Sequence, residues 1–232
     1  MRQSRDPAAR ERYARVLLVA FGLVTLADLV CLAAGSDIGH ALTKPLLMPL
    51  LAAHAGLCGG PGLLVAALLF GWGGDTLLLS DHDAAFLAGM SSFACGHLCY
   101  LLLFRRYGAP PEPHARKGTP PGARLAGGYG LALATTVTLL WPDLPPELRV
   151  PVAAYSVLLT AMAYRATRLG PTAALGGVLF MLSDTLIATG VAEWPQLPRP
   201  DFWIMLTYIA AQLLLVRGVM DRRTDREVMV TP

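Results

Sequence analysis

Eight apolar stretches of roughly 17 to 21 residues follow one another along the chain, and about 20 such residues carry an α-helix across a ~30 Å hydrocarbon core. They lie near 14–34, 41–57, 61–80, 84–104, 123–141, 149–167, 171–190 and 201–219. Within hydrocarbon every backbone N–H and C=O must be bonded inside the protein, so runs this long select helices. The expected fold is all-α: a polytopic membrane bundle of eight transmembrane helices, forming a single integral membrane domain over residues 1–232. Only 15% of the residues are charged and 54% are hydrophobic, against about 25% charged in soluble domains. Pro45 and Pro49 fall in the second stretch, which membrane helices tolerate where neighbours satisfy the freed backbone groups.

Charge placement gives this count an orientation, because cytoplasmic loops collect Lys and Arg. With the N-terminus inside, 16 of the 19 Lys and Arg fall on the cytoplasmic side. They are Arg2, Arg5, Arg10, Arg12 and Arg15; Arg105, Arg106, Arg116, Lys117 and Arg124; Arg165 and Arg168; and Arg217, Arg222, Arg223 and Arg226. The opposite loops hold Asp37, Asp81, Asp83, Asp143, Glu147, Glu193 and Asp201. Both termini are expected in the cytoplasm, in a bacterial plasma membrane. The basic start resembles a signal peptide, but Ala33-Ala34-Gly35 is a weak cleavage site and the apolar run is long enough to span. The inside loops account for the net charge of +3, which gives nucleic acid no role and directs these loops to anionic membrane lipid. The Gly- and Pro-rich segment 107–122 reads as a linker.

Two aspartates occupy near-copies of one setting: Leu-Leu-Phe-Gly-Trp-Gly-Gly-Asp75-Thr-Leu-Leu and Val-Leu-Phe-Met-Leu-Ser-Asp184-Thr-Leu-Ile. A carboxylate at the centre of a membrane helix costs about 2.5–3.5 kcal/mol on insertion scales, so its presence is a functional signal. The two lie on the third member of consecutive groups of four stretches. Helix four offers Phe93 and His97 where helix eight offers Tyr208 and Gln212, again at i and i+4. This suggests a parallel four-plus-four repeat. At ~1.5 Å per residue both aspartates stand roughly 20 Å from the cytoplasmic end. Asp28, Lys44, Tyr155 and Tyr208 fall near the same level. Lys44 is one of only two lysines, and a compact ammonium there suits either an aspartate or a phosphate.

Other chemistries find less support. His40, His54, His82 and His114 fall at loops or span ends on differing sides, which supplies no set of about three ligands for a zinc hydrolase. No metal or other cofactor is expected. No Gly-x-Ser-x-Gly elbow occurs, and Ser91-Ser92 has no partnered base in sequence. Cys31, Cys58, Cys95 and Cys99 form no Cys-x-x-Cys pair and read as small packing residues.

In order along the chain, Leu42-Thr43-Lys44-Pro45-Leu46, Gly74-Asp75, Gly96-His97-Leu98-Cys99-Tyr100, Ser183-Asp184 and Thr207-Tyr208 with Ala211-Gln212 resemble the YhhN family of membrane proteins, which includes lysoplasmalogenases. The sequence departs from that pattern at Ile209, where a second tyrosine is frequent. The resemblance implies hydrolysis of the vinyl ether bond of a lysophospholipid substrate, releasing a fatty aldehyde and a glycerophospho-alcohol. Asp75 and Asp184 are then the expected catalytic pair, with Asp28, Lys44, His97, Tyr155, Tyr208 and Gln212 around the substrate. The rival reading is a small proton- or ion-coupled membrane transporter, whose intramembrane acids would carry the coupling ion.

The charge asymmetry predicts that cysteines introduced near residue 3, in segment 107–122 and near residue 228 react with membrane-impermeant reagent only after the membrane is opened. Labelling of the 107–122 site in intact cells would make the helix count wrong.

Overall fold

The computed structural model describes residues 7–80, 82–108 and 121–230, so Arg2, Arg5, Asp81, His114, Arg116, Lys117 and most of the expected linker lie outside it. Among the described residues there are eight α-helices and no strand: α1 Pro7–Ala34, α2 Asp37–Leu57, α3 Gly62–Leu77, α4 Asp83–Tyr107, α5 Pro121–Leu140, α6 Pro146–Ala166, α7 Pro171–Val191 and α8 Pro200–Val230. Four segments are long and apolar enough to cross a bilayer, Ala8–Ala34, Asp83–Tyr107, Pro171–Val191 and Pro200–Asp225. They mark the chain as an integral membrane protein. The 16 residues of α3 are apolar but short: it stops at Leu77, where the expected stretch ran to 80.

The chain divides into two compact units, residues 1–100 and 101–232, with the division inside α4. In the first unit α1 and α2 form a hairpin. Gly35 adopts φ 74°, which lets the Ser36 N–H return to the Cys31 carbonyl at 2.8 Å and close α1. Ser36 then caps α2, its hydroxyl accepting from the Gly39 N–H at 3.2 Å, with Asp37 in the first turn. Helix α2 therefore begins before the apolar stretch and takes in His40. At the other end Arg10 donates to the Leu57 carbonyl, and the His54 ring meets the Ala14 carbonyl at 2.8 Å. Leu47, Met48, Leu51, Ala52 and Ala55 form the buried stripe of α2, while Ile38, Leu42 and Leu46 lie on its exposed face. Helix α4 packs on α3 through small residues: the Ser92 hydroxyl donates to the Phe70 carbonyl at 2.6 Å, and the Phe93 ring covers Gly74.

In the second unit α6, α7 and α8 pack closely because glycines remove side chains at the crossings. A Cβ on Gly176 would stand 3.0 Å from the Ala211 carbonyl oxygen, and one on Gly177 would stand 2.9 Å from the Ala163 Cα. A 3-10 turn, Thr167–Leu169, leads from α6 into α7. Gly170 at φ 111° makes the reversal, Pro171 starts the helix with φ already set, and Arg222 of α8 donates to the Leu169 carbonyl at 2.7 Å.

Backbone-to-backbone approach fixes the cost of enlarging these glycines. Gly177→Val is expected to lose about 1–3 kcal/mol of stability, whereas Gly127→Ala, inside α5 with nothing within 4 Å, should gain up to about 1 kcal/mol from the lower backbone entropy of alanine. Unfolding titrations of both variants in mixed micelles check the contrast.

Candidate functional site

Polar side chains in helices of this kind have no water to fall back on, so each must find a partner in protein or in a ligand. In the first unit Asp28 on α1 is 0% exposed. Its Oδ1 receives two groups from α2, the His40 Nδ1 at 2.8 Å and the Thr43 hydroxyl at 2.6 Å. With the proton on Nδ1, His40 donates to the carboxyl and its Nε2 is left on the far side of the ring. The imidazole that meets Asp28 is thus His40. Lys44 is half-buried and carries no ion pair among the described residues. It lies on the face of α2 that continues through Met48, Leu51 and Ala55, opposite Leu42 and Leu46.

Asp75 is 2% exposed near the C-terminal end of α3, and His97 is 1% exposed on α4. Phe93, one turn before His97, is also buried and covers Gly74 beside Asp75. The two residues therefore belong to helices joined at that crossing.

In the second unit the Tyr155 hydroxyl on α6 donates to Oδ2 of Asp184 on α7. Both residues are half-buried. On α8 the Gln212 side-chain amide donates to the Tyr208 hydroxyl at 3.2 Å, an i to i+4 pair. The Tyr208 ring stands edge-on to Phe180 of α7, with centroids 5.5 Å apart. Ser183, next to Asp184, donates across to the Ile204 carbonyl at 3.1 Å. The α7 and α8 polar positions are thus held by a run of interhelical contacts.

The two aspartates share a local device. Each is followed by a threonine whose hydroxyl turns back to the carbonyl four residues earlier, Thr76 to Trp72 at 2.8 Å and Thr185 to Met181 at 2.7 Å. Such back-bonding satisfies the hydroxyl without water and tends to bend a helix. Asp75 and Asp184 each stand ~20 Å from the start of their helix, on α3 and α7.

The structure therefore joins Tyr155 with Asp184 and Tyr208 with Gln212, and gives Asp28 the partners His40 and Thr43. Sequence reasoning left His40 at a span end and assigned Thr43 no role. Their 40, 43, 44 spacing on one helical face was the available signal. Among the described residues no three His, Cys, Asp or Glu side chains are grouped as metal ligands.

The YhhN family profile matches residues 39–219. A human protein named lysoplasmalogenase TMEM86B is 38% identical over 158 residues, covering 68% of this chain and 63% of that protein. A pig protein of the same name is 36% identical over 156 residues, covering 67% of this chain and 62% of its own length. The chain thus matches less than two thirds of the length of these mammalian relatives. A Mycobacterium tuberculosis protein named lysoplasmalogenase is 33% identical over 218 residues, covering 86% of this chain and 79% of that protein. No solved structure matches.

The Tyr155–Asp184 bond predicts an asymmetry between its two partners. Tyr155→Phe removes the donor and should cost about 1–3 kcal/mol, while Asp184→Asn keeps a carbonyl acceptor and should cost less than half of that. A double-mutant cycle on unfolding free energies measures the coupling; additive losses would mean that the bond does not hold α6 to α7.

Proposed function

The chain belongs to the YhhN family, and from that premise we propose that it hydrolyses the vinyl ether bond of lysoplasmalogens. The reading is carried by relatives bearing the name lysoplasmalogenase, one of them aligned along most of this chain. The substrate is a lysophospholipid held in the membrane, and the products are a fatty aldehyde and a glycerophospho-alcohol.

Vinyl ether hydrolysis begins with a proton delivered to the β-carbon, which leaves an oxocarbenium ion at the carbon bearing oxygen. Water adds there and loses a proton, and the hemiacetal collapses to the aldehyde and the glycerol alcohol. One group must therefore hold a proton at neutral pH while another stays ionised to stabilise the cation and take the proton from water. Glycosidases divide the same two tasks between paired carboxyls. We assign these tasks to Asp75 and Asp184, the acids that recur in one setting, each followed by a back-bonded threonine. General acid catalysis of this kind contributes about 10²–10⁴-fold. Tyr155 orients Asp184 through its hydroxyl. Asp28, His97, Tyr208 and Gln212 surround the substrate. Lys44, on the inward stripe of α2, meets the lipid phosphate or holds an aspartate ionised.

The same proposal has all eight helices crossing the membrane as one domain built from two four-helix repeats, with both termini in the cytoplasm of a bacterial cell. At 16 residues, or ~24 Å, α3 is the shortest crossing, and a bilayer thins locally to match so short a segment.

Purified protein in detergent should release aldehyde from a lysoplasmalogen without cofactor. Asp75→Asn and Asp184→Asn should each lose at least 100-fold in turnover while remaining folded and membrane-inserted, because the amide keeps the volume but cannot exchange the proton. Lys44→Met separates the two roles of that residue: a loss in KM marks phosphate, and a loss in kcat with a displaced pH profile marks an aspartate. Full aldehyde release by either asparagine variant would sink the two-carboxylate mechanism, and solute movement into sealed vesicles without aldehyde release would restore the transporter.

A further inference from the structure

Asp28 has only half of its carboxyl engaged. Oδ1 takes both donors from α2, His40 at 2.8 Å and Thr43 at 2.6 Å, and these two contacts fix the plane of the group. Oδ2 is buried and has no hydrogen-bond partner among the described residues, and the same is true of the Thr25 hydroxyl oxygen. The two residues stand at i and i+3 on α1, so their side chains are neighbours on one face of the helix. That face is the inward one, since Phe21 and Leu32 on the same stripe are buried. A buried acceptor beside a buried hydroxyl, neither of them matched, costs free energy that one small group would recover.

The group that fits is another hydroxyl, which gives its proton to Asp28 Oδ2 and accepts one from Thr25. We propose that Thr25 and Asp28 form the site for the free glycerol hydroxyl of the lysophospholipid, an inference that rests on the reading of this protein as a lysoplasmalogen hydrolase. That hydroxyl is what distinguishes a lysolipid from its diradyl parent, which carries an ester at the same carbon and has no proton for Oδ2. Depth agrees with this role. Asp28 stands about 9 Å from the C-terminal end of α1, so a lipid whose headgroup lies at that end of the helix brings its glycerol close to the carboxyl. His40 and Thr43 are positioning residues, which occupy Oδ1 and leave Oδ2 without a protein donor among the described residues. A site built around a substrate hydroxyl rejects analogues lacking it by factors that reach about 10⁴–10⁵, so this pair sets the preference for lysolipids.

The test compares three vinyl ether lipids with a phosphoethanolamine headgroup, bearing a hydroxyl, a hydrogen or a methoxy group at the central glycerol carbon. Wild-type protein should prefer the hydroxyl form over the deoxy form by at least 100-fold in kcat/KM. Thr25→Val should cut that ratio at least 10-fold, and Thr25→Ser should restore it. In the absence of lipid Thr25→Val should melt no lower than wild type, because valine keeps the shape and removes an unmatched hydroxyl. An unchanged ratio in Thr25→Val overturns the proposal. So does a lower melting temperature without lipid, which would mean that the hydroxyl is already satisfied inside the fold. A saturated-ether lysolipid and its deoxy analogue, used to protect the protein against heat, read the site without turnover. Protection by the hydroxyl form alone, lost in Thr25→Val, upholds the site even where no aldehyde is released, and that pattern would overturn the hydrolase reading instead.

Discussion

Hydrocarbon offers no hydrogen bonds, and this one deficiency organises both units. Backbone groups meet it by becoming helical, but side chains must meet it one at a time. Threonines at 76, 185 and 207 return to their own helices. Ser92 and Ser183 reach the backbone of a neighbouring helix, and Tyr155 and Gln212 reach other side chains. The Ser92 bond forms where Gly73 brings α3 and α4 close, since a Cβ there would stand 2.7 Å from the Ser92 hydroxyl. Close packing and polar pairing are therefore one arrangement: the approach that gains dispersion contact also brings donors within reach of acceptors.

The aspartates occupy three distinct electrostatic situations within this scheme. Asp28 is fully buried and tied to an imidazole and a hydroxyl. Asp75 is buried near the end of the short helix α3. Asp184 is half-buried and takes a phenol hydroxyl. A reaction that requires one carboxyl to give a proton and another to stay ionised needs environments that differ. For the proposed pair, Asp75 and Asp184, differing helices, partners and exposures would supply that difference without any change in the residue type.

Hydropathy located all eight helices of the described residues, because long apolar runs select helices, but it misjudged their ends. Helix α8 was expected to stop near 219 and runs on to Val230, with Arg222 tied to the Leu169 carbonyl. Helix α2 starts at Asp37 because Ser36 caps it, and that early start is what puts His40 opposite Asp28. The apolar window began at 41 and hid the pairing. Within the candidate site, the i to i+4 spacing of Tyr208 and Gln212 was legible, since one helix holds both. The Tyr155–Asp184 bond was legible only as a shared depth, because it joins α6 to α7 and no periodicity reports which faces of two helices meet. The matched and unmatched oxygens of Asp28 were beyond any pattern of residue types.

The α1–α2 hairpin is fastened at both ends, by Arg10 and His54 near one and by Asp28, His40 and Thr43 near the other. Taken alone, α1 would carry a bare carboxyl into the bilayer, at the cost that a membrane helix bears for an unpaired acid. Side by side, α2 gives Asp28 its two partners, and α1 gives the His54 ring a carbonyl and the end of α2 the Arg10 guanidinium: the turn at Gly35–Ser36 makes one sealed unit of two helices.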